Sequence, residues 1–167
     1  LFFKSIGMGT VTIGIVISLY GVSKTLIQIP FGIISNNIGD KLTLKLSLIL
    51  MSLIPIAYVL FGTSFKAGTI YVLQGAILGI AAPATYSILA RTLDPKRRGA
   101  CTGLASAVFT WGGGIGAAIA GYILAKVISF IVIFYISSVG IFFTLVYVTF
   151  RVKKVKNINV KVKNNDN

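Results

Sequence analysis

Lys24 and Gln28 stand four residues apart within one apolar run, and that spacing puts an ammonium and an amide on one face of a helix. Together they could hold an anionic group of a small molecule, the ammonium supplying charge and the amide directing hydrogen bonds. Tyr71 with Gln74, and Thr110 with Trp111, are the other polar or amphipathic groups inside apolar runs, and they are candidate walls of the same cavity. Bond-making chemistry has little to work with. The chain has no histidine, one cysteine (Cys101) and three acids, Asp40, Asp94 and Asp166. Metal centres and acid/base pairs therefore lack ligands, and an internal disulfide lacks a second thiol. No catalytic residue, metal or cofactor is expected, and these residues suit binding rather than catalysis.

The elements that must position them follow from composition. With 167 residues, 56% of them hydrophobic and only 11% charged, and a mean hydropathy of +0.92, the chain is too apolar to be a soluble domain. A net charge of +13 would suggest a nucleic-acid partner in a soluble protein, but the basic residues fall in short clusters between apolar runs and in the tail, so none is expected. A hydrocarbon core about 30 Å thick needs about 20 apolar residues of helix. Five windows qualify, 11–34, 43–61, 67–90, 101–125 and 127–150. Each is too long for a barrel strand and none alternates steadily, so the fold class is an all-α membrane protein of about five transmembrane helices.

Lys24 then lies near the bilayer centre, where a charge costs about 2.5–3.5 kcal/mol on insertion scales. The windows hold no acid, so its partner is an anionic substrate, a carboxylate outside these helices, or water. A shifted helix with Lys24 in an aqueous vestibule is the plainer alternative. Trp111 sits deeper than the interfacial belt that tryptophan favours, and a central tryptophan more often packs than contacts a ligand.

Basic residues gather on the cytoplasmic face of membrane proteins. One set of connections, around Lys41–Lys45, Arg91–Arg98 and Arg151–Lys163, carries twelve; the opposite set carries Lys4, Lys66 and Lys126. The imbalance places residue 1 outside the cell membrane and the tail, 151–167, in the cytoplasm, where anionic headgroups attract it. Residues 1–10 open without the order of a signal peptide and are read as an external loop or the end of a missing helix.

Three segments carry a family resemblance. Gly32-Ile-Ile-Ser-Asn-Asn-Ile-Gly39-Asp40-Lys41 resembles the loop signature Gly-x-Leu-x-Asp-Arg-x-Gly-Arg-Arg/Lys of the major facilitator superfamily, with Gly32, Ile34, Gly39 and Lys41 matching. Asn36 and Asn37 replace the acid and the arginine, which implies that the family's charge pair is lost here. Leu73-Gln74-Gly75 through Pro83 is similar to the family's fourth-helix pattern, but Tyr71 stands where the N-terminal half carries an arginine. Arg98-Gly99-Ala100 leads into Gly103, Gly112, Gly116 and Gly121, which look like the basic loop and glycine motif of the antiporter branches, with Ala117 and Ala120 replacing Pro and Gly. Small residues four apart also let helix backbones approach in any polytopic protein, so packing is the better explanation of the glycines taken one by one.

The resemblance covers about residues 7–150 and implies part of a six-helix bundle, helices eight to twelve of the C-terminal half of a transporter, its other half missing. It further implies secondary active transport of a small solute by alternating access, as in an efflux or proton-coupled permease. Lys24, Gln28, Tyr71, Gln74 and Trp111 would contact substrate. Gly32, Asn36, Gly39, Asp40, Lys41 and Arg98, with the 103–121 glycines, would govern the conformational change. Helices two to six of an N-terminal half fit the same residues. A non-transporting polytopic module, such as a receptor or assembly subunit, is the alternative from a different class.

Overall fold

A computed structural model describes residues 2–92, 98–127 and 129–151 of the chain. They form six helices and no strand: α1 (Phe2–Ser5), α2 (Thr10–Ile38), α3 (Asp40–Phe61), α4 (Ser64–Thr92), α5 (Arg98–Val127) and α6 (Phe130–Arg151). The last five are long and apolar enough to cross a membrane. Most outrun the apolar windows that announce them, because polar residues such as Asn36, Asn37 and Arg91 can still be helical where a span reaches the interface. The basic tail from residue 152 onward and the 93–97 part of the basic loop lie outside the described residues.

Packing centres on α2 and α4, which run parallel in matching four-residue steps. Gly75 lies against Tyr20 and Ser23, Gly79 against the Lys24 carbonyl, and Gly32 against Pro83, while Arg91 reaches Asn36. The row 20, 24, 28, 32, 36 of α2 therefore meets the row 75, 79, 83, 87, 91 of α4, the ridge arrangement that four-residue spacing produces. A Cβ on Gly75 would stand 2.5 Å from the Tyr20 carbonyl oxygen, and one on Gly79 would overlap that of Lys24. Glycine is required at both places because the backbones themselves touch. By contrast, a Cβ on Gly103, Gly112, Gly116 or Gly121 of α5 would meet nothing within 4 Å. The α5 glycine face is open, and α5 touches α6 only slightly.

The buried side of α3 changes character along its length. Asp40, Thr43 and Ser47 lie at one end and Ile54 and Tyr58 at the other, at the three- and four-residue spacing of one helical face. Ile54 and Tyr58 join Ala67 and Ile70 of α4 in the apolar core. Hydroxyls are satisfied where lipid could not serve them. Ser18, Thr25, Thr69, Thr85, Thr110 and Thr144 each donate to the carbonyl four residues back. Ser23 donates to Val72 O at 2.8 Å and Ser138 to Ser52 O at 2.9 Å, tying α2 to α4 and α6 to α3.

Candidate functional site

Three polar or aromatic places arise from this packing. At the end where α2 passes into α3, Gly39 adopts φ +95° and ψ 135°, a backbone that side-chain-bearing residues rarely take. Its N–H caps α2 by donating to Ser35 O at 2.9 Å, and its carbonyl accepts from Leu42 and Thr43 of α3. The sharp turn delivers Asp40 to the first turn of α3, where the helix dipole favours a carboxylate. Asp40 is 6% exposed. Its Oδ1 accepts from Ser35 Oγ at 2.7 Å and its Oδ2 from Ser87 Oγ at 2.6 Å, and Arg91 Nε stands 3.6 Å from Oδ2. A second Arg91 nitrogen donates to Asn36 Oδ1 at 3.3 Å, and Lys41 Nζ donates to Thr149 O of α6 at 3.0 Å.

The family's charge pair has no counterpart at Asn36 and Asn37, which are both neutral amides. A different ion pair is present, between Asp40 at the start of α3 and Arg91 in the last turn of α4, an arginine that the loop motif does not contain. Ser35, Ser87 and Arg91 were not among the sequence candidates. The available signal was that Ser87 and Arg91 share a face of α4, four residues apart, but nothing local says that Asp40 faces them. Arg98 begins α5, and nothing is described of its side chain.

The second place is a groove of about 270 Å³ between α2, α4 and α5. Lys24, the fifteenth residue of the 29-residue α2, contributes from one wall. Thr85 and Tyr86 contribute from α4, and Ser106, Phe109 and Thr110 from α5. The third is a cavity of about 300 Å³ that includes Phe2, Tyr58, Tyr71, Gln74, Phe134 and Ser137. Here Tyr58 donates to Gln74 Oε1 at 3.4 Å. Tyr20 stacks on Tyr71 with centroids 4.7 Å apart, and Tyr58 stacks on Phe134 at 5.1 Å.

The five substrate candidates are thus not brought to one place. Lys24 lines the groove, with Thr110 opposite it. Tyr71 and Gln74 line the aromatic cavity. Gln28 stands outside both, on the α2 ridge beside Gly79. Trp111 is 74% exposed and also outside both, since its neighbour Thr110 takes the groove-facing direction. Sequence reading missed Phe2, Phe3 and Phe134 as partners of Tyr58 and Tyr71, because aromatic residues in apolar helices carry no periodic mark. What the arrangement can do chemically is bind: Lys24 and the hydroxyl-bearing Thr85, Tyr86, Ser106 and Thr110 line the groove, and among the described residues no cluster could hold a metal.

No curated protein matches the chain. The family profile of the Major Facilitator Superfamily matches residues 1–165, and with five membrane-length helices this places the chain in a multi-pass membrane family that transports solutes and is not an enzyme family. The chain belongs to the Major Facilitator Superfamily.

Proposed function

We propose that the chain supplies helices eight to twelve, as α2 to α6, of a secondary transporter that moves a small solute by alternating access. The observation that carries the reading is the groove between α2, α4 and α5, in which Lys24 of the midpoint of α2 faces α5 hydroxyls at the depth where transporter sites lie. The Asp40–Arg91 cluster ties α2, α3 and α4 together at one end, so it can act as a latch that holds this half rigid while it rocks against its counterpart. The open glycine face of α5 offers a surface on which a helix of the counterpart can slide. Assignment to the C-terminal half is supported by the Asn36 and Asn37 replacements and by Tyr71 at the arginine position. The twelve-to-three distribution of basic residues supports a cytoplasmic position for the latch end.

The test is flux. Full-length protein in proteoliposomes, given solute panels with and without an imposed proton gradient, is expected to show saturable uptake or counterflow of at least one small solute. Leak no greater than that of empty liposomes for every solute class, from protein shown to be folded, refutes the reading.

A further inference from the structure

We propose that the α2–α4–α5 groove takes a small organic monoanion with an apolar body and a neutral O–H or N–H group, and that Lys24 is its counter-charge. The inference rests on the transport reading and names the class of substrate. Lys24 is half-buried at the middle of a membrane span, and among the described residues neither a carboxylate nor a hydrogen-bond acceptor is paired with its ammonium. An uncompensated ammonium at that depth is costly, so a ligand that brings one negative charge recovers the interaction that the described residues leave unmade. Among the described residues that line the groove, a second negative charge would find no further cation, and a cationic ligand would meet Lys24 with no carboxylate to offset it.

The remaining walls define the rest of the ligand. Leu78, Leu89 and Phe109 give an apolar surface suited to a ring or short hydrocarbon. Thr85 and Thr110 already donate their hydroxyl protons to the Ala81 and Ser106 carbonyls, so toward the groove they present acceptors. A ligand donor group fits them. The volume of about 270 Å³ that this half contributes accommodates one ring or its equivalent.

The probes are benzoate, 4-hydroxybenzoate and 3-phenylpropanoate, each compared with its neutral amide, and benzylammonium as the cation, titrated into full-length protein in nanodiscs. At least one carboxylate should bind about ten-fold more tightly than its amide, and Lys24→Gln should reduce that preference to about two-fold or less, as expected for loss of a charge-assisted contact. Ligand-free Lys24→Gln should melt no lower than wild type. The proposal is overturned if no carboxylate binds better than its amide, if Lys24→Gln keeps the preference, or if it lowers the ligand-free melting temperature, which would assign Lys24 to a carboxylate of the protein itself. Flux separates the two readings. Flux that is indifferent to Lys24→Gln overturns the substrate class and leaves transport standing, whereas Lys24-dependent anion binding by a protein without flux supports the site and refutes transport.

Discussion

Substituting Gly79 by alanine perturbs the place where α2 and α4 touch backbone to backbone. The added methyl would overlap the Lys24 carbonyl oxygen and lie 3.3 Å from Gln28 N. One turn away, a methyl on Gly75 would stand 2.5 Å from the Tyr20 carbonyl oxygen and 2.8 Å from Ser23 Oγ. None of these close contacts is the end of a long flexible side chain that could swing aside. The helices must therefore separate by roughly 1 Å, a distance that also forfeits a sizeable part of the dispersion energy along the seam. Overpacking of this kind costs about 1–3 kcal/mol, against a gain of up to about 1 kcal/mol from replacing glycine by alanine within a helix. The net expectation is a loss of about 1–2 kcal/mol, or roughly 3–6 °C in melting temperature. Gly75→Ala should behave alike, and the double variant should lose less than the sum because one separation of the helices relieves both. Gly112→Ala is the control for this seam, since its methyl meets nothing within 4 Å in the described structure and should leave the α2–α4 contact undisturbed. The assay is the fraction of monodisperse protein recovered after graded heating in detergent. Gly79→Ala melting at or above wild type would refute the backbone-contact geometry.

Other expectations follow from the loop and the topology. Gly39→Val forces a β-branched residue to φ +95° and should cost about 1–3 kcal/mol, read as a lowered melting temperature, and should impair flux in the full-length protein. Asp40→Asn removes the charge that Ser35, Ser87 and Arg91 share and should destabilise by about 1–3 kcal/mol; Arg91→Gln, at a side chain 29% exposed, should cost less, and the reverse order in thermal melting would contradict the burial of Asp40. In a Cys101→Ala background, a cysteine at Lys96 or Lys154 should react with an impermeant maleimide only from the cytoplasmic side and one at Lys66 only from outside; reaction of Lys66→Cys and Lys96→Cys from the same side would overturn the topology.

Helix type and number were legible because length and hydropathy alone set them: no strand reading accommodates windows such as 67–90 or 127–150. The close approach at Gly75 and Gly79 was visible as a small-residue pair, yet the same pattern at Gly112 and Gly116 meets nothing in the described structure. Spacing marks where backbones can approach, and only the partner helix decides whether they do. The Asp40–Arg91 cluster was half legible. The glycine turn and Asp40 lie within one motif, but Ser87 and Arg91 are about fifty residues away and became partners only through the parallel register of α2 and α4. The intramembrane polar residues are divided between two places for the same reason: Lys24 lines the groove and Gln74 the aromatic cavity, although they sit on adjacent helices.

The central claim, that the groove opens alternately to the two sides of the membrane, is tested most directly by a single cysteine at Thr110 in a Cys101→Ala background. Thr110 lines the groove opposite Lys24. An impermeant thiol reagent applied to oriented vesicles from either side should label the same cysteine, and Asp40→Asn should shift the ratio of the two rates. Labelling from one side only, in protein that retains its fold, would contradict alternating access.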